Sequence, residues 1–109
     1  MIVIDLENIK LPSLNSKYYK NFALKSEYKE FKEFLHCSCI QEKIEPPYKV
    51  IINCESYIDI DNFIKPIHDA IENRGVIDND KNVLELHVYK TQIKRGMAGK
   101  LTVEVETIK

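Results

Sequence analysis

The sequence has little of what several protein classes require. Its 109 residues include no tryptophan, only three glycines and only three cysteines. Because the glycines are few and not clustered, a glycine-rich loop that cradles phosphates is excluded. The odd number of cysteines (Cys37, Cys39 and Cys54), together with a start that lacks a basic and apolar export signal, argues against a disulfide framework and favours reduced thiols. We therefore expect a cytoplasmic protein.

Long hydrophobic runs and a strong net charge are also missing. The longest apolar runs, such as residues 50–52, fall far short of the ~20 residues that a membrane helix needs. A composition of 44% hydrophobic and 30% charged residues predicts one globular domain over residues 1–109. The net charge of −1 is unevenly spread, since residues 51–82 carry three basic and seven acidic side chains, a net −4. This acidic third is either a solvated face or a carboxylate site for a divalent cation.

Hydrophobic periodicity predicts six elements in the order β-α-β-α-β-β. They cover residues 2–4 (strand), 26–38 (helix), 48–58 (strand), 62–73 (helix), 83–90 (strand) and 101–108 (strand). The last two strands are expected to form a long hairpin with a basic tip. Pro66 is tolerated only near a helix start, so regular helix is expected to begin nearer Ile64 or Lys65, and Gly75 suits its end. The prediction is an α/β (α+β) fold with a mixed sheet and two helices.

Two acidic side chains follow directly after the strand predicted over residues 48–58. Asp59 and Asp61 are two residues apart, so on a strand they would share one face about 6.6 Å apart. Carboxylate oxygens of this kind are the ligands that Mg²⁺ prefers. The alternative is that Asp61 or Asn62 caps the following helix. Capping explains one acid, but it does not explain two acids followed by Lys65 one turn later.

A second acidic cluster, Asp78-Asn79-Asp80, lies between the second helix and the next strand. A polar turn is one interpretation, because Asn and Asp favour turns in any protein. A calcium loop is excluded, since position 6 counted from Asp78 is Val83 instead of glycine. The helix could also return Asp80 to the neighbourhood of Asp59 and Asp61, which would make a three-carboxylate site.

These segments together resemble the RusA family of Holliday junction resolvases. The family signature is Asp-x-Asp-Asn-x-x-Lys, then Asp-Ala on a helix, then a second acidic turn ending in Asp, and residues 59–65, 69–70 and 75–83 match it. Residues 11–19 resemble the family's opening Pro-x-x-Asn-x-x-Tyr-Tyr. The closing Lys- and Gly-containing hairpin is similar too, so the resemblance covers nearly the whole chain.

The resemblance implies a RusA-like fold and a homodimeric, Mg²⁺-dependent endodeoxyribonuclease, with Mn²⁺ as a substitute ion. Such an enzyme resolves four-way junctions by symmetric paired nicks in DNA recombination and repair. By position, Asp59, Asp61 and Asp80 would bind the metal and, with Lys65, form the catalytic set. Asp78 is a further candidate ligand, because the family often has two adjacent acids in this turn. The candidate DNA contacts are basic: Lys17, Lys20, Lys94, Arg95 and Lys100.

Two other functions remain open at this point. One is a junction-binding module that does not cleave, although retention of the three aspartates and Lys65 speaks against it. The other is a metal-dependent phosphoesterase acting on a substrate other than DNA, which the acidic central segment and weak basicity would suit.

If the three carboxylates do converge without a cation, their repulsion predicts that Asp80→Asn leaves the metal-free protein as stable or more stable.

Overall fold

The fold is built on a four-stranded mixed sheet. The computed structural model describes residues 1–9 and 44–108; the helix predicted over residues 26–38, the loop at 11–19 and the basic residues Lys17 and Lys20 lie outside them. The described elements, in chain order, are β1 (Ile2–Ile9), β2 (Tyr48–Ser56), helix α1 (Ile60–Arg74), a 3-10 turn (Asp80–Asn82), β3 (Val83–Gln92) and β4 (Gly99–Thr107). The prediction of an α+β fold with a mixed sheet is confirmed, and the described part of the chain contains one α-helix.

The strands lie in the order β1-β4-β2-β3, and this order corrects the predicted hairpin. β3 pairs with β2 in parallel and β4 pairs with β2 in antiparallel fashion, so β3 and β4 flank β2 and do not pair with each other. The reason is the crossover through α1, which returns the chain parallel to β2 on its outer side. β4 then crosses to the middle of the sheet and pairs with β1, where Leu101, Val103 and Val105 are fully buried.

Helix α1 is longer than predicted and contains Pro66 in its interior. The prediction that regular helix begins near Ile64 or Lys65 is wrong, since the helix begins at Ile60. A proline inside a helix costs about 3 kcal/mol through the lost N–H and the clash with the preceding turn. Pro66 lies on the buried face beside Phe63 and Ile67, so packing of that face outweighs this penalty. Gly75 ends the helix in the left-handed conformation, at φ 86°, as predicted.

The core lies between α1 and one face of the sheet. It contains Phe63, Ile67 and Ile71 of the helix, and alternate residues of β1, β2 and β4. The free thiol of Cys54 is part of this core, and burial raises its pKa to about 11, so it stays protonated at neutral pH. The opposite face of the sheet carries mostly exposed or half-buried polar side chains. No helix in the described part of the chain is both long and apolar enough to cross a membrane.

Candidate active site

Asp59 and Asp61 lie where β2 gives way to α1. The strand ends at Ser56, Asp59 is the N-cap residue of α1 and Asp61 lies in the first helical turn. The strand spacing assumed for the pair therefore does not apply, because helical residues two apart do not face each other. Capping does not account for the carboxylates either. Asp59 makes no side-chain capping hydrogen bond, and the first turn is closed by the Asp59 carbonyl, which accepts from the Asn62 N–H at 3.0 Å.

Lys65 is the centre of a charged cluster on one stripe of α1. Asp61, Lys65 and Asp69 follow each other at four-residue spacing, which places them on the same helical face. The Lys65 ammonium lies 3.2 Å from the Asp69 carboxylate and 2.5 Å from the Asp80 carboxylate. Asp80 comes from the turn before β3, fifteen residues farther along the chain. The predicted catalytic residues Lys65 and Asp80 are thus in direct contact.

The ion pairs shift the pKa values of both Lys65 and Asp80. The hydrogen bonds that Lys65 donates, first to Asp80 and then to Asp69, raise the pKa of its ammonium above the ordinary lysine value. The same contact lowers the pKa of Asp80 below the ordinary aspartate range. At neutral pH the Lys65 ammonium and the Asp80 carboxylate are therefore both charged. The Lys65 side chain remains 52% exposed and Asp80 33% exposed, so both are within reach of a large substrate.

The acidic turn separates Asp78 from Asp80. The Glu72 carboxylate accepts the Asp80 N–H at 2.8 Å, which ties the turn to the helix. The Asp78 carboxylate accepts from the Asn82 amide at 2.8 Å, and its backbone N–H donates to the Tyr48 hydroxyl at 3.2 Å. Asp80 thus lines a groove shared with Lys65, whereas Asp78 closes the turn on the other side. The turn interpretation accounts for Asp78, whereas the carboxylate of Asp80 faces Lys65.

The carboxylates fit a divalent cation only in part. Asp59 and Asp61 are both exposed and offer hard oxygen donors of the kind that Mg²⁺ binds. Asp80 is engaged by Lys65 instead. Within residues 1–9 and 44–108, no three His, Cys, Asp or Glu side chains lie close enough to hold one metal ion together. The structure brings Asp80 to Lys65, and it does not assemble Asp59, Asp61 and Asp80 into a common cluster.

The predicted basic contacts divide into two groups. Lys94 and Arg95 are exposed in the loop between β3 and β4, which turns through a hydrogen bond from the Met97 N–H to the Lys94 carbonyl. This loop meets the end of β2, since the Ile93 N–H donates to the Ser56 carbonyl, so it shares one end of the sheet with Asp59. Lys100 lies apart from them, on the open face of the sheet.

Lys100 is surrounded by carboxylates. Its ammonium is 3.9 Å from Glu7 and its backbone N–H donates to Glu55 at 3.0 Å. Gly99, just before it, packs so closely on β2 that an added Cβ would lie 2.6 Å from the Glu55 carbonyl oxygen. Lys100 is therefore a poorer candidate for a phosphate contact than Lys94 or Arg95.

Sequence reasoning missed two residues of this site. Asp69 was noted only as part of a motif, yet its four-residue spacing from Lys65 is a readable signal for an ion pair. The other residue is His68, which no motif in the sequence singles out. It is buried, its Nδ1 donates to the Ile64 carbonyl at 2.9 Å, and its ring lines the groove that contains Lys65 and Asp80. Nothing in the sequence distinguishes that position from the rest of the apolar stripe.

Comparison with known proteins identifies the family of this chain. The profile of the family described as Endodeoxyribonuclease RusA matches residues 11–106. A crossover junction endodeoxyribonuclease RusA from Aquifex aeolicus (strain VF5) is 33% identical over 70 residues, covering 64% of this chain and 55% of that relative. The chain thus aligns with a little over half of that relative's length. Because the family profile spans nearly the whole chain, the chain belongs to the RusA family.

Proposed function

We propose that this chain is a structure-specific endodeoxyribonuclease that resolves Holliday junctions. It would act in the cytoplasm as a homodimer of one-domain subunits and cut four-way DNA by symmetric paired nicks during recombination and repair. The observation that carries the proposal is the Lys65–Asp80 contact, within a chain that matches the RusA family over residues 11–106. Two residues fifteen positions apart meet in an exposed groove, and both are expected catalytic residues.

Lys65 supplies the positive charge of the proposed site. An ammonium on a flexible stem is a compact point charge that binds phosphate oxygens. Its raised pKa keeps it charged throughout the neutral range. Asp69 and Asp80 hold this ammonium at the groove, where it would stabilise the negative charge that develops on a phosphate under attack. The role of Asp69 in this proposal is to position Lys65.

We also propose a requirement for a divalent cation, Mg²⁺ or Mn²⁺. Asp59 and Asp61 would be ligands, with Asp80 as the third carboxylate and Asp78 retained in its turn. When bound, such an ion polarises a phosphoryl oxygen and lowers the pKa of a bound water. Support comes from the donor chemistry of Asp59 and Asp61, which are both exposed, and from the Asp59 carboxylate, which makes no capping hydrogen bond. The convergence of the three aspartates remains a prediction.

Charge indicates which side of the protein would face DNA. Among the described residues, the sheet face opposite α1 carries more carboxylates than lysines: Asp5, Glu7, Glu55, Glu85, Glu104 and Glu106 against Lys49 and Lys100. This face would repel a phosphate backbone. Lys65 on the helix side and the Lys94–Arg95 loop at the sheet end are better placed to meet one. Junction DNA would therefore approach the helix side and the end of the sheet where α1 begins.

Exposure of the site favours a large substrate over a small one. The Lys65 and Asp80 side chains are 52% and 33% exposed, and Asp59 and Asp61 are exposed as well. Small-molecule phosphoesterases usually enclose most of their ligand in a cleft. A site on an open surface can instead receive the backbone of a duplex arm. This argues for DNA over a small phosphate ester.

The decisive experiment incubates the protein with a labelled mobile four-way junction and with a matched linear duplex, each with Mg²⁺ and with EDTA. We expect Mg²⁺-dependent nicks at symmetric positions in the junction and far slower cutting of the duplex. Lys65→Met tests the ammonium, with Lys49→Met as the matched control. Lys49 lies on the sheet face opposite α1, where its ammonium is 3.8 Å from Glu106, so its loss leaves the groove intact.

Each alternative function gives a distinct result in this assay. Tight junction binding without nicks in Mg²⁺ or Mn²⁺ would identify a non-cleaving junction module. Equal cutting of junction and duplex would remove structure specificity. Hydrolysis of a small phosphodiester, with neither DNA cut, would favour the phosphoesterase. Equal loss of activity in Lys65→Met and Lys49→Met would contradict the assigned role of Lys65.

A further inference from the structure

Large apolar side chains are exposed at the end of the sheet where α1 begins. Tyr57, just after β2, and Ile60, the first residue of α1, are each 39% exposed. Met97, in the loop between β3 and β4, is 52% exposed. The Ile93 N–H donates to the Ser56 carbonyl, so this loop begins beside the end of β2. Single exposed apolar residues are common, but a group of them beside charged residues marks a surface that binds a partner.

Packing does not explain the aromatic ring of Tyr57. The core and the partly buried residues around it include the neighbouring Ile58 but not Tyr57. Tyr48, by contrast, is buried, and its hydroxyl accepts the Asp78 N–H at 3.2 Å. Within residues 1–9 and 44–108, the fold therefore gives the ring of Tyr48 a structural role and leaves the ring of Tyr57 available to a ligand.

The backbone that carries Tyr57 is held in place by hydrogen bonds. Its carbonyl accepts from the Gln92 amide at 3.4 Å, and the Ile58 carbonyl accepts from the Lys90 ammonium at 3.1 Å. The Ile58 N–H donates to the buried Ser56 hydroxyl at 3.0 Å. A tyrosine side chain has only two main torsions, so a ring on a backbone held in this way loses little conformational freedom when it binds.

Basic side chains lie at the same end of the sheet. Lys94 and Arg95 are exposed in the loop between β3 and β4, and the Lys90 ammonium reaches the Ile58 carbonyl next to Tyr57. Proteins that bind unpaired or unstacked bases combine such charges, which bind the backbone, with an aromatic ring, which stacks on a base. We propose that Tyr57 stacks on a base at the branch point of a four-way junction and thereby distinguishes a junction from a linear duplex.

The cost of unstacking explains why the branch point is preferred. In a linear duplex every base is covered on both faces, so a ring can enter only where two neighbouring bases separate, which costs stacking energy. At an open branch point each arm ends in a base pair whose outer face has lost its neighbour, and a ring can cover that face without this cost. Tyr57 is two residues from Asp59, so the stacked base would lie close to the strand that the proposed site cuts. Tyr57 would thus determine specificity, an assignment that rests on the proposed function.

The test measures binding by fluorescence anisotropy, in EDTA, to a labelled four-way junction and to a duplex of the same arm sequence. The variants are Tyr57→Ala and Tyr57→Phe, and the matched control is Tyr89→Ala, whose ring is 59% exposed on the sheet face opposite α1. We expect Tyr57→Ala to raise the junction dissociation constant about fivefold or more. The duplex constant and the log–log salt slope should stay unchanged, because no phosphate contact is lost. Tyr57→Phe and Tyr89→Ala should bind as the unmodified protein does.

Three results of this titration would overturn the assignment. They are an unchanged junction constant in Tyr57→Ala, an equal loss of junction and duplex binding in that variant, and an equal loss of junction binding in Tyr89→Ala. If Tyr57→Phe bound as weakly as Tyr57→Ala, the hydroxyl and not the stacked ring would carry the contact, which would also contradict the proposal.

Photo-cross-linking of the unmodified protein makes the test independent of variant folding. Iodouracil replaces each base at the branch point in turn, and then a base in the middle of an arm. Peptide mass spectrometry should locate cross-links on Tyr57 from the branch point and none from the arm. Absence of a Tyr57 cross-link from every branch-point position would refute the stacking.

The inference and the proposed function fail in different ways. Junction cutting by Tyr57→Ala with the selectivity of the unmodified protein would overturn the inference and leave the proposed function intact. Selective junction binding that depends on Tyr57, without nicks in Mg²⁺ or Mn²⁺, would refute the proposed nuclease and leave the inference intact.

Discussion

Removal of the Asp80 charge should destabilise the metal-free protein. The repulsion argument from sequence predicts the opposite for Asp80→Asn, but the structure places Lys65, and no second carboxylate of the expected site, against Asp80. The pair is substantially exposed, so solvent screens it, and exposed ion pairs contribute about 0.2–1 kcal/mol. For a domain of this size, 1 kcal/mol corresponds to roughly 4 °C in Tm. We therefore expect Asp80→Asn to lower Tm in EDTA by about 1–4 °C at pH 7.

The pH dependence of this difference follows from the two pKa shifts. The Asp80 pKa is lowered by folding, so its contribution is present above the unfolded value of about 4 and is lost as the pH falls through the folded value. The Lys65 pKa is raised, so its contribution is present below the unfolded value of about 10.4 and is lost as the pH rises through the folded value. The stability difference should be full between about pH 5 and 9 and shrink outside that window.

The assay is a double-mutant cycle of Asp80→Asn and Lys65→Met, followed by thermal and urea unfolding in EDTA. A coupling free energy of about 0.2–1 kcal/mol that weakens in high salt is expected. Asp78→Asn is the matched control, since asparagine can still accept the hydrogen bond from Asn82. A more stable Asp80→Asn protein, or zero coupling with Lys65, would refute the ion-pair account and favour three converging carboxylates.

Three further predictions follow from the same structure. Asp61→Asn should abolish junction cleavage while changing Tm by less than about 2 °C, because its carboxylate is exposed in the first turn of α1; a large loss of stability would contradict this. Lys94→Ala with Arg95→Ala should weaken junction binding and reduce the log–log salt slope by up to about 1.8, measured by anisotropy titration at several salt concentrations; an unchanged slope would remove the loop from the DNA contacts. Gly99→Ala should cost about 1–3 kcal/mol in urea unfolding, because its Cβ would lie 2.6 Å from the Glu55 carbonyl oxygen; a neutral result would show that the two strands can separate there.

The elements that local pattern determines were predictable from the sequence. Alternating apolar residues indicated β2 and β4, and the helical spacing of Ile67 and Ile71 with Gly75 beyond them indicated α1 and its end. The strand order was not predictable in this way, because pairing joins residues far apart in the chain. The alternating leucines of β3 predict a strand with one apolar side. The alternation does not show whether other elements of the fold bury that side. Burial of β4 and exposure of β3 follow from the crossover.

The candidate site shows the same division between local and long-range information. The pair of Lys65 with Asp69 follows from four-residue helical spacing and is readable from sequence. The pair of Lys65 with Asp80 depends on how the turn folds back on the helix, where Glu72 accepts the Asp80 N–H. A family signature placed both residues in the site without explaining why they meet. The contact itself needed the three-dimensional structure.

Helix α1 contacts Asp80 from two positions, and this explains why Asp78 and Asp80, which belong to one turn, have different partners. Glu72 binds the backbone of Asp80, and Lys65, about two helical turns earlier, binds its carboxylate. Asp78 instead binds Asn82 within the turn, and its N–H binds Tyr48 of the sheet. The sheet therefore anchors the start of the turn and the helix anchors its second aspartate. Because the same helix carries Asp61 and Lys65, a shift of α1 would move these two groups and Asp80 together, so the relative positions of three of the four proposed catalytic groups depend on one rigid element.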